Sequence, residues 1–327
     1  MDRAIRWLGL EPNRAQGGTS EVVADGCSFP VKVSVIVPSY NSEETIDLCL
    51  DSVCGQDFLD NFEVIVIDSS TDNTPDIIRS RYPDVLYLKL DKKTDPGTAR
   101  NIGAGRAQGD ILAFIDSDCI ARPGWLKNLV SLHQRMEHGV IGGAVENANP
   151  ESIISISSYI VEFSDFLPTM REGEFLHLPT CNISYKKRVF YNYGGFDSRY
   201  YPQEDYYFHW RLNRAGEKIY FAPEVRVAHH HRTRWRSYVS HQLRIGKITS
   251  RLLKVTDLPG SGFVRRPIVA AMLIPALPFV KFMRTMIRFA KYEPRMFISR
   301  PFSALVILVG LLFWTVGFAQ GVYSRED

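Results

Sequence analysis

Two pairs of carboxylates stand where chemistry needs them. Asp116 and Asp118 flank a single serine immediately after the apolar run Phe114-Ile115. In an extended chain alternate side chains point to the same side, so the two acids converge. Clustered carboxylates favour a hard cation, Mg²⁺ or Mn²⁺, and such an ion can hold a diphosphate; a polar turn after a strand is the plainer alternative. Glu204 and Asp205 form the second pair. They open a helix-patterned segment that runs to about Arg214 and closes at Gly216. Acids in a first helical turn complement the helix dipole, so that role stays open beside a catalytic one.

The segments around these acids set their positions. From 31 to 145, short β-branched runs alternate with helix-period stretches. Strands are expected at Val31 to Val37, Glu63 to Ile67, Val85 to Leu90 and Ile111 to Ile115. Helices are expected from about Glu43, from about Pro75, over 97–107 and after Pro123. This βαβα order predicts a mostly parallel sheet, whose ligands bind at the carboxyl ends of the strands. Three such ends are polar: Pro38-Ser39-Tyr40-Asn41, Asp68-Ser69-Ser70-Thr71-Asp72 and Asp116-Ser117-Asp118.

The joint order of VSVIVPSYN (33–41), VIDSSTDNT (66–74), ARNIGA (99–104), FIDSDC (114–119), GGFD (194–197), QEDYYFHWRL (203–212) and VAH (227–229) resembles the family 2 glycosyltransferases of the GT-A fold. The resemblance covers nearly all of residues 31–250. It implies an α/β fold of the nucleotide-diphospho-sugar transferase type, a Rossmann-like, mostly parallel sheet flanked by helices. It also implies roles for single residues. Pro38 and Tyr40 line the nucleotide base, Asp68 accepts a hydrogen bond from the base ring, and Arg100 contacts the donor. Asp116 faces ribose and metal, Asp118 ligates the metal, and His229 completes its shell. The run His229-His230-His231 leaves the choice of histidine open. Asp205 matches the base of inverting members, with Glu204 as the fallback. Glu204 and Trp210 fall on the acceptor side, where the ring of Trp210 either packs on a sugar or belongs to the core. The loop 68–72 lacks the paired acids often seen in the family, which leaves GDP and dTDP open beside UDP, the donor nucleotide that the resemblance implies.

Bulk composition limits the other classes. The chain of 327 residues is 45% hydrophobic and 23% charged, which suits a folded protein. A net charge of +3 and the lack of a basic run interleaved with aromatics exclude a nucleic-acid partner. Cys27, Cys49, Cys54, Cys119 and Cys181 are scattered, odd in number and without a C-x-x-C pair, so a reducing compartment is expected. Residues 1–30 are read as an N-terminal extension that stays in the cytosol, because Glu11 and Pro12 interrupt the apolar patch at Trp7 and Leu8.

The composition breaks at the cluster Gly260 to Arg266, which divides a catalytic domain (31–260) from a membrane-attachment region (261–327). Residues 302–322 carry no charge and are long enough to span a bilayer. Residues 267–290 are apolar over 14 positions and then carry Lys281, Arg284 and Arg288 at helical spacing, which predicts an interfacial or re-entrant helix. The cations between the two segments place that loop, and the catalytic domain, on the cytosolic side.

The sequence therefore predicts an inverting, metal-dependent glycosyltransferase at the cytosolic membrane face. It moves a sugar from a nucleotide-sugar, UDP foremost, to a hydroxyl of a glycan or lipid-linked saccharide. Polyprenyl phosphate is the alternative acceptor, and a catalytically inactive membrane scaffold is the alternative of a different class. A nucleotidyltransferase is disfavoured because no glycine-rich basic loop follows the first strand.

Overall fold

A computed structural model of the chain describes residues 32–324. The extension 1–30 and the start of the first expected strand at Val31 lie outside the described residues. In chain order the elements are β1 (Val33–Ser39), α1 (Ile46–Cys54), β2 (Phe62–Asp68), α2 (Thr74–Arg81), β3 (Leu86–Lys89), α3 (Pro96–Arg106), β4 (Ile111–Ile115), β5 (Cys119–Ala121) and α4 (Trp125–Arg135). Then follow β6 (Val140–Asn147), α5 (Ile153–Phe163), β7 (Gly173–Phe175), β8 (Asn182–Lys186), α6 (Lys187–Asn192), α7 (Glu204–Arg214), β9 (Ile219–His229) and α8 (Trp235–Val255). The C-terminal helices are α9 (Ser261–Val264), α10 (Pro267–Leu273), α11 (Leu277–Tyr292), α12 (Pro294–Ser299) and α13 (Ser303–Tyr323).

The strands form one sheet in the order β3-β2-β1-β4-β8-β6-β9-β5, with β7 on β9. Its first half is parallel, as βαβ crossovers require. β1 and β2 are β-branched runs buried on both faces at Val33–Val37 and Val64–Ile67, whereas the edge strand β3 is only partly buried. The second half is mixed: β8 runs antiparallel to β4 and β6, β6 runs parallel to β9, and β5 and β7 run antiparallel to β9. The sheet is thus less uniformly parallel than the βαβα order suggests. β8 arrives only after the excursion through α5 and β7, and it inserts between β4 and β6 in the opposite direction.

Several local signals explain the helix ends. Asp95 caps α3 by accepting from the Thr98 N–H, with Pro96 in its first turn. Ser152 caps α5 in the same way through the Ser155 N–H. The C-terminal helices pack on the catalytic sheet through α5. Met286, Phe289, Ile307 and Leu311 belong to the same core as the strands, while Trp314, Phe318 and Val322 form a smaller cluster with Leu253, Val264, Ala270 and Ile274. Pro267–Tyr292 and Ser303–Tyr323 are each long and apolar enough to cross a membrane.

Candidate active site

β1, β2 and β4 end along one edge of the sheet, and hydrogen bonds stitch the loops that leave them. Asn41, held at a left-handed φ of 51°, accepts from the Thr71 N–H at 2.8 Å and donates its own N–H to Ser70 Oγ at 2.7 Å. The hydroxyls of Ser42 and Ser117 meet at 2.8 Å and tie the first loop to the third. A cleft of about 380 Å³ opens over this edge, and Pro38, Tyr40, Arg100, Asp116, Asp118, Glu204, Asp205 and His229 all line it. The acids at 116, 118 and 205, far apart in sequence, therefore face one space.

Arg100 sits at its floor. It is 3% exposed and binds two carboxylates, Asp116 Oδ1 through Nη2 at 2.5 Å and Glu204 Oε1 through Nη1 at 3.0 Å. Burial opposes its charge, but the two carboxylates outweigh that and hold the guanidinium more firmly protonated than usual. Burial in turn pushes the Glu204 carboxyl up to about 7, with Arg100 pulling against the rise and Asp205 adding to it. α3 and α7 are joined by this linkage, in which Glu204 holds Arg100 under the cleft through one carboxylate oxygen. Asp205, one residue on, is less buried and accepts only the Tyr206 N–H, at 2.7 Å, among its recorded hydrogen bonds.

The antiparallel register of β5 on β9 sets Cys119 opposite His229, and the His230 N–H donates to the Asp118 carbonyl at 2.8 Å. That register carries His229 Nε2 to 3.5 Å from Asp118 Oδ1. Asp118, Cys119 and His229 are the one group of metal-capable side chains among the described residues, with ligand atoms within 4.8 Å of one another. Two ligands about 2.1 Å from one hard cation stand about 3 Å apart, so the carboxylate and imidazole fit a shared ion after a small side-chain shift. The Cys119 thiol is buried, which raises its pKa well above the ordinary value, and a protonated thiol is a poor ligand for such an ion. Asp116 stands outside that group, and its Oδ1 accepts from Arg100 Nη2.

Two expected contacts are placed elsewhere. Asp68 is fully buried and does not line the cleft. One of its oxygens accepts from the N–H and hydroxyl of Ser70, and the other accepts from Tyr87 Oη at 2.9 Å and faces Lys89 Nζ at 3.3 Å. These bonds shape the 68–72 loop. Trp210 also lies off the cleft: its indole N–H donates to Asp257 at 2.5 Å, and its ring stacks on Tyr207, which stacks on Tyr200. The stack ties α7 to the turn at Tyr200, and Trp210 and Arg214 together tie it through Asp257 to the segment just after α8.

The cleft also holds Glu162 and His241, which sequence reasoning missed. Glu162 of α5 lines it together with Arg232 and His241, lying 3.5 Å from each, and burial raises its carboxyl pKa above the ordinary range. The only sequence signal was a lone acid in an otherwise uncharged helix, IISISSYIVEF. At Tyr40, Lys93 Nζ sits 4.1 Å above the ring.

Residues 34–194 match the model of glycosyl transferase family 2. The chain is 30% identical over 224 residues to the glycosyltransferase AglE of Haloferax volcanii, an alignment that covers 66% of this chain and 72% of that protein. The chain belongs to glycosyl transferase family 2. It is a transferase enzyme with a GT-A-type sheet, and its fold also resembles that of the mannosyltransferase PcManGT from Pyrobaculum calidifontis, solved in complex with GDP-Man and Mn²⁺. The TM-score is 0.58 at 20% identity, over 99% of this chain and 94% of that one. Another relative, the validoxylamine A glucosyltransferase of Streptomyces hygroscopicus subsp. jinggangensis, is 30% identical over 56% of this chain, which spans only 52% of that protein.

Proposed function

We propose that this family 2 glycosyltransferase transfers a sugar, with inversion, from a nucleotide-sugar to a hydroxyl of a glycan or lipid-linked saccharide at the cytosolic membrane face. The reading rests on one observation: Asp205, the Asp118–His229 pair and the Arg100–Asp116 pair all line a single cleft. Pro38 and Tyr40 take the base, with UDP the expected nucleotide, while Asp116 faces the ribose and Arg100 holds the diphosphate side of the donor through charge-assisted bonds. Asp118 and His229 would hold Mg²⁺ or Mn²⁺, which supplies charge neutralisation to the leaving nucleoside diphosphate.

Asp205 accepts the proton of the acceptor hydroxyl as that oxygen bonds to the anomeric carbon. The bond from the anomeric carbon to the diphosphate oxygen breaks on the opposite face, and the electron pair leaves with the nucleotide. Glu204 acts by positioning Arg100. The catalytic unit is assigned to residues 31–260 and the membrane attachment to 261–327, where the apolar C-terminal helices support a lipid-linked acceptor.

Thermal stabilisation by a panel of nucleotide-sugars tests the reading. UDP-sugars with Mn²⁺ are expected to raise the melting temperature by several degrees, and EDTA to remove most of that gain. Equal stabilisation with and without metal would contradict the assigned cation site, and no stabilisation by any nucleotide-sugar would contradict the donor class.

A further inference from the structure

We infer that α13 does not cross the bilayer but lies in its surface, so that α10, α11 and α13 form one in-plane face for an anionic lipid leaflet. The inference rests on the membrane reading above and replaces the spanning helix expected from composition. α13 is apolar throughout, but its two sides have different surroundings. Ile307, Leu311, Trp314, Phe318 and Val322 are buried, whereas Leu305, Leu312, Phe313, Val316 and Tyr323 are exposed at helical spacing.

The buried side is committed to α8. Gly246 on α8 and Gly317 on α13 let the backbones approach so closely that a β-carbon would overlap the facing carbonyls of Trp314 and Leu243. The contact runs in parallel register, from Tyr238 Oη against the Val306 carbonyl to Lys254 Nζ against the Ser324 carbonyl. Those α8 positions span about 24 Å at the helical rise. α8 also carries Arg236, Arg244, Lys247, Arg251 and Lys254, and its His241 lines the cleft. A spanning α13 would pull this charged helix and the wall of the catalytic cleft into hydrocarbon, which buried charges and open polar clefts oppose. An α13 lying in the leaflet surface immerses only its outer side.

The adjoining helices continue that side. α11 exposes Phe279, Val280, Met283 and Ile287, and α10 exposes Ile268, Met272 and Leu273. Lys281 of α11 stacks over Trp314, and Tyr323 donates to the Pro267 carbonyl, so the three helices are joined. Residues 258–324 contain eight cations (Arg265, Arg266, Lys281, Arg284, Arg288, Lys291, Arg295, Arg300) and one acid, Glu293; Arg284 and Arg288 also face Asp165, and with that acid counted six positive charges remain in excess. That balance suits anionic headgroups around an apolar insertion and disfavours a second copy of the same face, whose cations would meet their own kind. α5, which brings Glu162 and Phe163 to the cleft, packs beneath α11 and α13 through Tyr159–Phe289 and the shared core. The donor cleft is thereby held one helix layer from the lipid.

The test uses the full chain with an epitope after Asp327. In sealed vesicles that expose the catalytic domain, protease is expected to remove the epitope without detergent, and purified protein is expected to float with phosphatidylglycerol-containing vesicles but weakly with neutral ones. Val316→Asp and Met283→Asp, at exposed positions, are each expected to lower the vesicle partition roughly tenfold while leaving the melting temperature unchanged. An epitope protected until detergent is added would overturn the in-plane placement and leave membrane attachment intact. A chain that never floats and instead dimerises in solution would overturn both.

Discussion

The site turns on one guanidinium between two carboxylates. Arg100 is buried with Glu204 on one side and Asp116 on the other, and removing it strands a buried charge. Arg100→Ala is therefore expected to destabilise the fold by about 3–5 kcal/mol in denaturant unfolding, on the scale measured for broken buried pairs. Adding Glu204→Gln to that variant is expected to restore part of the loss, because the uncompensated carboxylate goes with it. Additive losses in the double variant would show that the two groups do not interact. The sequence made Asp116, Asp118 and Asp205 legible because they follow a strand or open a helix, and Arg100 because it lies in the run ARNIGA. It did not reveal that Asp68 accepts from Ser70 and Tyr87, nor that Glu162, Arg232 and His241 meet. Those meetings join α5, the segment after β9 and α8, and no local pattern encodes them.

At the level of elements, periodicity located what is local. β1, β2, β3 and β4 lie within about two residues of the β-branched runs, and α3 and α7 follow their caps and breakers. α5 was not visible, since its Ile and Ser residues carry little helical preference; its cap and its burial against the C-terminal helices decide it. The insertion of β8 between β4 and β6 was equally hidden, because strand pairing is a long-range property. The union of α8 and α13 is the element-scale feature most open to test. Gly317→Leu would drive a side chain into the Leu243 carbonyl, and it is expected to cost about 1–3 kcal/mol in thermal or denaturant unfolding. A variant as stable as the parent would place α13 away from α8.

Over the whole molecule, burial keeps several imidazoles neutral. His133 is lowered to about 3, chiefly by desolvation, and donates to or accepts from Ser184 Oγ at 2.8 Å. His177, His209 and His241 are also lowered by burial. Folded pKa values below the unfolded one mean that the unfolded chain binds more protons, so this stability is present above about pH 6.5 and is lost as pH falls toward the folded values. Melting temperature is expected to decline steadily from pH 7 to pH 5, and a flat profile over that range would contradict the buried, neutral histidines. α13 is long and apolar enough to span, and half of its apolar stretch is buried within the protein; Gly317 and Gly321 face the backbone of α8 on that side, and Gly310 faces the Tyr238 ring.

The most direct measurement separates donor binding from transfer in Asp205→Asn. With Mn²⁺ and a UDP-sugar that stabilises the parent enzyme, the variant is expected to keep that thermal shift while nucleoside diphosphate release in the presence of acceptor falls by about 10²–10⁴. Release at the parental rate would contradict Asp205 as the base and, with it, the chemistry assigned to the cleft.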